Sequence, residues 1–535
     1  IAGIESNSGS LGMGISKARG MAWAKRHLGR GGRVFVLTGD GELQEGQNFE
    51  ALQAAVQQGI TNLVVIVDHN KVQSDKMVSE IVGLGDLEQK LRSFGWYVAR
   101  CDGNDQGALG GTLAELRTIK DRPKVLIADT IKGRGVSFME HPFAMKTGGG
   151  YYKWHSGAPA DEFFTAGHRE IIERVNGMLG SLNLDMLKLK DAETGTVEDS
   201  RYSLEGEPDS RGAAVKPSMK TAAEFVADAY GQALVQIGGR RKDLVVLDAD
   251  LAADCRTRQF ELTYPERFIE CGIAEQDMVS MAGGLARQGL LPVVNSFASF
   301  LASRSNEQIY NNASEKTKII YINHYAGLIP AGPGKSHQSV RDISLFGALP
   351  NCTILQPGTP DETRMALEYA VDVCNEVSMI RLVIGPSPGK IELPEGYRLS
   401  FGRGAVLGDG QDAVMFAYGP VMLYEALQAH AILRNCGIGL KVVNMPWLNR
   451  CDVPWLAECI GGHRKIMVLD DHAPVGGLGS FLLGMLVQKD LLEGRQFRVF
   501  GVEGYPACGT PAEALKRHGL DGESLAERVR RATGS

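Results

Sequence analysis

Residues 33–38, Arg-Val-Phe-Val-Leu-Thr, run directly into Gly39-Asp40-Gly41-Glu42, and a second apolar run at 63–67 leads into Asp68-His69-Asn70. The segment 48–59 between them has a helical period, with an apolar face formed by Phe49, Leu52, Ala55 and Val56. A strand–helix–strand unit predicts two parallel strands joined by a crossover. The two polar clusters then lie at the carboxyl ends of neighbouring strands, where open α/β sheets bind ligands.

The polar residues of these clusters suit a metal ion and a phosphate. The carboxylate of Asp40 and the amide oxygen of Asn70 are hard ligands that favour Mg²⁺ or Ca²⁺ over zinc. Gly39 and Gly41 allow the backbone to approach a phosphate closely. A Gly-Asp-Gly turn after a strand is by itself an ordinary turn. The prediction therefore depends on the second strand, which ends in asparagine.

Extended to 39–55 (GDGELQEGQNFEALQAA) and 62–70 (NLVVIVDHN), the pattern resembles the thiamine diphosphate signature of transketolases. The resemblance implies a thiamine diphosphate site with Mg²⁺ held by Asp40, Asn70 and the backbone carbonyl of Val72. The glycine- and serine-rich loop 3–14 is similar to the family segment that lines the cofactor, which implies roles for Gly9 and Leu11.

Two further stretches of the first block extend the resemblance. The run 132–140 (KGRGVSFME) is similar to a transketolase sequence. His155 falls where the family has a histidine that reaches the cofactor diphosphate. A lone loop histidine is more often a surface residue. The flanking match gives both interpretations equal weight, so that alternative stays open.

Composition limits the class of protein. The chain has 535 residues, 44% hydrophobic and 22% charged, with a net charge of −6 and both signs interspersed. We expect roughly three soluble domains and neither a nucleic-acid nor a membrane partner. The nine cysteines form no CxxC pair, which favours a reduced, cytoplasmic compartment. The chain begins at Ile1, and we expect a truncated or incomplete product. Two alternatives stay open for the family's N-terminal segment: it lies outside this sequence, or a partner chain supplies it.

Strand and helix patterns alternate along the whole chain, which predicts an α/β fold of three tandem domains with mainly parallel sheets. We expect a diphosphate-binding domain at 1–181, a linker at 182–219, a pyrimidine-binding domain at 220–390 and a C-terminal domain at 391–535, in the transketolase order. Strands of the first block are expected at 94–101 and 124–129. Strands of the last block are expected at 413–416, 440–443, 465–469 and 497–500.

Residues 272–276 (GIAEQ) follow a predicted strand and open a predicted helix. A glutamate in a first helical turn is by default a capping or dipole-favoured residue. In transketolases the glutamate of this run hydrogen-bonds N1′ of the cofactor's aminopyrimidine, which implies that catalytic role for Glu275. A buried carboxylic acid can donate this bond, and it helps the cofactor lose the proton at C2.

Phe297 and Phe300 have the spacing of an ordinary core stripe. The family match instead implies that they stack on the aminopyrimidine ring. In transketolases the diphosphate and pyrimidine contacts come from different subunits. We therefore expect a homodimer with active sites at the subunit interface.

His324 and His337 match substrate-side histidines of transketolases. Imidazoles titrate near neutrality, which suits proton transfer to a substrate oxygen. A packing histidine at a strand end and a neighbour of a helix N-cap remain as alternatives for the two positions.

Three departures from the family pattern concern the substrate. Pro333 stands where the family has an aspartate that holds the donor hydroxyls. Asp254 stands where the family has a phosphate-binding serine, and a carboxylate repels a phosphate dianion, although Arg256 and Arg258 follow it. An arginine expected after the last strand of the second block is absent from 384–387. Arginine suits bidentate phosphate recognition, so we expect substrates other than ordinary sugar phosphates.

The interpretation favoured by these residues is a transferase that moves a two-carbon ketol unit from a ketose to an aldehyde, with a small sugar or carbonyl compound as substrate. Two alternatives stay open. One is the decarboxylative condensation of a 2-oxo acid with an aldehyde, as in deoxyxylulose-phosphate synthases. The other is a catalytically silent regulatory homologue. Retention of Asp40, Asn70 and Glu275 argues against a silent protein.

Overall fold

Three mainly parallel sheets follow one another along the chain, which confirms the predicted fold class. The structure, a computed structural model, describes residue 4, residues 11–187 except 13, 28 and 58, and residues 224–534 except 288. Contacts divide the chain into two units: residues 1–130 together with 223–535, and residues 131–222. Gly9 and most of the predicted linker 182–219 lie outside the described residues.

The first sheet confirms the strand–helix–strand prediction. Helix α1 (Gly14–His27) precedes β1 (Val34–Gly39), and α2 (Gly46–Gln57) connects β1 to the parallel strand β2 (Leu63–His69). Leu52 and Ala55 on the predicted face of α2 are fully buried. Gly39 lies opposite Asp68 in the register. The two polar clusters therefore meet at one edge of the sheet.

Two more strands complete this sheet. Strands β3 (Tyr97–Asp102) and β4 (Lys124–Asp129) give the all-parallel order β1-β2-β4-β3. The remaining helices of this part are α3 (Val78–Ile81), α4 (Leu87–Ser93) and α5 (Gln106–Leu116). Strand β3 begins three residues later than predicted, because Phe94 still caps α4 and Trp96 donates its indole N–H to the carbonyl of Leu52 at 2.8 Å.

The unit of residues 131–222 contains α6 (His141–Thr147) and α7 (Asp161–Ser181). Phe138, Trp154 and Phe163 form an aromatic cluster with ring centroids 5.0 to 5.8 Å apart. The Ser137 hydroxyl donates to Glu170 of α7 at 2.9 Å. These contacts hold the loop 132–140 on the helix.

The second sheet is all parallel, in the order β6-β5-β7-β8-β10-β9. Its strands are β5 (Leu244–Asp248), β6 (Phe268–Glu270), β7 (Leu291–Phe297), β8 (Ile320–His324), β9 (Cys352–Leu355) and β10 (Val377–Leu382). Its helices are α8 (Val226–Arg240), α9 (Arg258–Thr263), α10 (Glu275–Arg287), α11 (Ala298–Arg304), α12 (Asn306–Ser314), α13 (Asp342–Phe346) and α14 (Pro360–Glu368). Most of these strands are buried along their length, as their apolar runs predict.

The third sheet has the order β11-β13-β12-β14-β15. Its strands are β11 (Ala405–Gly408), β12 (Ala413–Ala417), β13 (Leu440–Asn444), β14 (Lys465–Leu469) and β15 (Gln496–Phe500). Its helices are α15 (Gly419–Asn435), α16 (Val453–Ile460), α17 (Leu478–Gln488), α18 (Pro511–His518) and α19 (Gly522–Thr533). The sequence did not predict β11, an antiparallel edge strand with an irregular register. Among the described residues, no helix has the length and apolar character needed to cross a bilayer.

Candidate active site

The turns after β1 and β2 form one polar corner. One carboxylate oxygen of Asp40 accepts the backbone N–H of Gly41 at 2.8 Å, and the other accepts that of Lys71 at 2.6 Å. The amide oxygen of Asn70 accepts the N–H of Val72 at 3.0 Å. Asp40 is only 2% exposed, and burial raises its pKa although these N–H groups oppose the shift. The predicted metal ligands Asp40, Asn70 and Val72 thus lie on two adjoining turns.

This donor set fits the predicted metal. It comprises a carboxylate, a side-chain amide and a backbone carbonyl, all hard oxygen donors of the kind that Mg²⁺ and Ca²⁺ prefer. A buried carboxylate whose pKa burial raises is also a group that a nearby cation would stabilise. Within the described ranges, no cluster of three or more His, Cys, Asp or Glu residues has the geometry of a metal site.

Glu42 connects the backbone at Gly12 with the turn at Gly39 by hydrogen bonds. Its carboxylate accepts the backbone N–H of Gly12 at 2.9 Å and that of Gly39 at 3.3 Å. At Gly41 an added Cβ would lie 2.9 Å from the side chain of Gln73, so this position has little room for any other residue. The close packing agrees with a loop that brings its backbone against a ligand.

Two glutamines connect the loops of the first sheet to those of the second by hydrogen bonds. The side-chain amides of Gln44 and Gln73 bond each other at 2.9 and 3.1 Å. Gln44 also accepts the backbone N–H of Ile273 at 3.2 Å, and Gln73 donates to Asp250 at 3.2 Å. The loops at the carboxyl ends of the two sheets are therefore in direct contact within one chain.

Glu275 begins α10, as predicted, and is 2% exposed. One of its carboxylate oxygens accepts from Nη1 of Arg304 at 2.8 Å, while the other is buried and has no hydrogen-bond partner among the described residues. The same Nη1 donates to Glu45 at 2.8 Å. Burial raises the pKa of Glu45 to about 7, although Arg304 opposes the shift.

Four rings form a wall next to this ion pair. The Phe297 and Phe300 centroids are 5.2 Å apart, and His337 lies 5.5 and 5.4 Å from them. Tyr325 closes the group at 5.3 Å from Phe297. Burial, together with the charge of Arg304, lowers the pKa of His337. The imidazole is thereby favoured in its neutral form, which can accept a proton.

His324 lies behind this wall. It is opposite Phe297 in the register of β7 and β8, and it is fully buried. Its Nε2 lies 3.4 Å from the amide oxygen of Asn295, and its Nδ1 has no hydrogen-bond partner in the part of the chain that the structure describes. Burial lowers the pKa of His324 to about 3. Its predicted catalytic role stays a prediction, and His337 is the more accessible of the two imidazoles.

A cleft of about 840 Å³ opens beside Glu275. Of the predicted residues, Leu11, Glu275 and Phe300 line it, and Lys335, Arg341 and Tyr505 lie on other parts of its wall. Asp40 and Asn70 do not line this cleft; they connect to it through the Gln44 loop. His155 lies in the other unit, where its exposed ring has Nδ1 2.9 Å from the ammonium of Lys132.

Sequence reasoning missed four residues of the site: Glu42, Glu45, Arg304 and Tyr325. Glu42 and Glu45 belong to the quoted run 39–55, and Tyr325 follows His324 directly. Arg304 lies one helical turn after Phe300, a spacing that places two side chains on the same helix face. That spacing is the signal that could have identified it.

Known family models match most of this chain. The transketolase family models match residues 1–145 as the thiamine diphosphate binding domain, 225–383 as the pyrimidine binding domain and 402–525 as the C-terminal domain. Transketolase-like protein 2 from Mus musculus is 30% identical over 536 residues, covering 98% of this chain and 80% of that protein. The chain belongs to the transketolase family. Transketolase from Homo sapiens is 28% identical over 529 residues, with coverage of 98% and 80%.

Solved transketolases share the fold. A split-gene transketolase, described as an inactive β4 tetramer, superposes with a TM-score of 0.52 at 32% identity, covering 58% of this chain and 99% of that chain. Transketolase from Leishmania mexicana gives a TM-score of 0.51 at 19% identity, with coverage of 99% and 82%. The second likeness shows the fold alone.

In this transketolase-family chain, the arginines that follow Asp254 are already engaged. Arg256 donates to Asp228 at 2.5 Å, and Arg258 bonds both Asp75 and Glu261. Burial raises the pKa of Asp254, and the charge of Arg256 opposes that shift. Both arginines that follow Asp254 are therefore paired with other acids.

Proposed function

We propose that the chain is a thiamine diphosphate- and Mg²⁺-dependent transferase that moves a two-carbon ketol unit from a ketose donor to an aldehyde acceptor. The observation that carries the proposal is the joint presence of the Asp40–Asn70 corner and the buried carboxylate of Glu275 beside Phe300. These groups provide hard ligands for a metal–diphosphate at one end and an acid with an aromatic wall at the other. The family models and relatives support the same assignment.

When bound, thiamine diphosphate supplies a nucleophilic carbon that attacks carbonyl groups and accepts the electrons of C–C cleavage. The chain supplies the rest. Asp40, Asn70 and the carbonyl of Val72 hold the metal and diphosphate, Glu275 bonds the aminopyrimidine, and Phe297 and Phe300 form its aromatic wall. His337 exchanges a proton with a substrate oxygen. His324, which is buried behind the aromatic wall opposite Phe297, supports the position of that wall.

We propose further that the substrate lacks the phosphate of ordinary sugar phosphates. Asp254 places a carboxylate where transketolases have a phosphate-binding serine, and Arg256 and Arg258 are held by other acids. A phosphate dianion there would meet net repulsion. A donor that carries hydroxyl or carbonyl groups in place of phosphate would avoid this cost.

Two measurements test the proposal. Calorimetric titration with thiamine diphosphate and Mg²⁺ should show binding that Asp40→Ala abolishes. The control Asp121→Ala, which removes an exposed acid bonded to Arg122, should keep it. A panel of phosphorylated and unphosphorylated ketoses and 2-oxo acids should then show turnover that Glu275→Gln abolishes. Turnover of pyruvate with CO₂ release would favour the decarboxylative condensation, and binding without any turnover would favour a silent homologue.

The proposed assembly is a homodimer whose active sites combine residues of both subunits. If Asp40 of one subunit works with Glu275 of the other, mixing the inactive variants Asp40→Ala and Glu275→Gln should restore activity, because each mixed dimer contains one unmutated site. If both residues of a site belong to one chain, the mixture should stay inactive. The proposed location is the cytoplasm, since all nine cysteines are free thiols.

A further inference from the structure

Arg304 contacts both Phe300 and Glu275, the two residues that the proposed function assigns to the aminopyrimidine. Its Nη1 donates to both Glu45 and Glu275 at 2.8 Å, and its Cζ lies 4.0 Å from the centroid of the Phe300 ring. The side chain is 11% exposed, and its Nη2 has no hydrogen-bond partner within the described ranges. One guanidinium thus covers a face of Phe300 and binds one oxygen of Glu275.

We propose that Arg304 competes with the aminopyrimidine of thiamine diphosphate for Phe300 and Glu275, and so sets the affinity of the chain for the cofactor. This inference rests on the proposed function, which assigns those two residues to the aminopyrimidine. A ring stacked on Phe300 needs the layer roughly 3.5–4 Å above it, which the guanidinium fills.

The surroundings leave few other places for the ring. Phe300 is 8% exposed, and Phe297 and His337 also contact it, with centroids at 5.2 and 5.4 Å. The partnerless oxygen of Glu275 lies beside the ion pair, so a ligand that reaches this carboxylate meets Arg304 as well. Binding the aminopyrimidine therefore requires the guanidinium to leave Phe300.

Arg304 can leave without losing every partner. It bonds Glu45 through the same nitrogen that bonds Glu275, and Glu45 lies on the cleft wall with it. A rotation that keeps the Glu45 pair breaks one cation–aromatic contact and one carboxylate bond. The guanidinium is then a positioning group that cofactor binding displaces.

The test compares Arg304→Ala with the unmutated chain by calorimetric titration. With Mg²⁺ present, the affinity for thiamine diphosphate should rise about tenfold, the size expected when a desolvated cation–aromatic contact no longer has to be broken. The affinity for inorganic diphosphate with Mg²⁺ should not change, because that probe has no pyrimidine. Arg364→Ala is the control: it removes an exposed cation outside the cleft that pairs with Asp361, and it should leave both affinities unchanged.

Unchanged or weaker cofactor binding by a folded Arg304→Ala variant would overturn the competition, and so would an equal gain for inorganic diphosphate. If the alanine variant does not fold, Arg304→Gln, which keeps most of the length without the charge, is subject to the same criteria. Absence of thiamine diphosphate binding by the unmutated chain would instead reject the proposed function, and this inference with it.

Discussion

The backbone N–H of Lys71 donates to the carboxylate of Asp40 at 2.6 Å, and Lys71 has a φ of +69°. A positive φ at a residue other than glycine costs roughly 1–3 kcal/mol, so the surrounding contacts must hold it in place. Here the next N–H, that of Val72, is held by Asn70. Lys71 thus connects the turn after β2 to the turn after β1 through its backbone hydrogen bond to Asp40. This connection brings Asp40 and Asn70 together.

Substitution of Lys71 should separate its backbone role from its side chain. Lys71→Gly keeps the N–H and adopts a positive φ without strain, so binding of thiamine diphosphate with Mg²⁺ should stay within about threefold. Lys71→Pro removes the N–H and fixes φ near −65°, so binding should be lost. Calorimetric titration measures both. Lys71→Ala is the control for the exposed ion pair of Lys71 with Asp129, and equal losses in Ala and Pro would contradict the backbone role.

Local residue patterns predicted the strands and the helix that position Asp40 and Lys71. Strands β1 and β2 are continuous apolar runs that end in polar clusters, and α2 has a clear helical period, so each element is determined within about a dozen residues. Strand β11 was missed because its four residues, Ala405–Gly408, carry no alternation and pair antiparallel at an edge. Its existence depends on β13, which follows some thirty residues later.

The ion pair between Arg304 and Glu45 could not be predicted from local residue patterns. Glu45 and Arg304 are 259 positions apart in the sequence. Nothing in either segment indicates which acid a given arginine will meet, because that choice depends on how the first and second sheets pack. Family resemblance located Glu275 and Phe300, but it did not locate the cation between them.

Asp250 should make stability depend on pH near neutrality. It is 6% exposed, and burial, with Glu270 and Asp75 nearby, raises its pKa to about 7 from the ordinary 3.8. Between those values the folded chain holds a proton that the unfolded chain has lost, so stability falls as pH rises, and above about 7 the whole penalty is present.

Asp250→Asn removes this penalty and keeps an oxygen that can accept from Gln73 and Ser74. Asparagine also tolerates the positive φ of 61° at this position. The melting temperature should rise at pH 8.5, by the equivalent of about 1–3 kcal/mol, and change less at pH 5. Scanning calorimetry at the two pH values checks this, with the exposed Asp409→Asn as control. An equal shift at both pH values would show that the charge of Asp250 is not the cause.

Gly327 and Gly289 form a matched pair that separates backbone strain from steric clash. Their φ values are +85° and +86°, but a Cβ at Gly327 would lie 1.8 Å from a carboxylate oxygen of the buried Asp471, whereas nothing lies within 4 Å at Gly289. Gly289→Ala should cost about 1 kcal/mol from strain alone. Gly327→Ala should cost several times more, since Asp471 also accepts the N–H of Leu328 at 2.8 Å. Urea unfolding measures both, and similar losses would refute the clash.

Arg381 of β10 connects the second sheet to the third by hydrogen bonds. It is fully buried, its Nε donates to Asp342 at 2.7 Å, and its Nη2 donates to the carbonyl of Asp471 at 3.3 Å. Removing one member of a buried ion pair leaves the other charge uncompensated, and this costs about 3–5 kcal/mol. Arg381→Met should therefore lower the melting temperature strongly, which scanning calorimetry measures.

The double variant Arg381→Met/Asp342→Leu should recover part of that loss, because the carboxylate of Asp342, the acid that Arg381 bonds at 2.7 Å, is then no longer buried without its partner. The control is Arg364→Met, which removes an exposed ion pair with Asp361, and it should change stability by less than about 1 kcal/mol. A double variant as unstable as the sum of the two single variants would show that the damage comes from lost packing. Recovery would show that the unpaired charge is responsible, and the coupling energy from the four proteins would measure it.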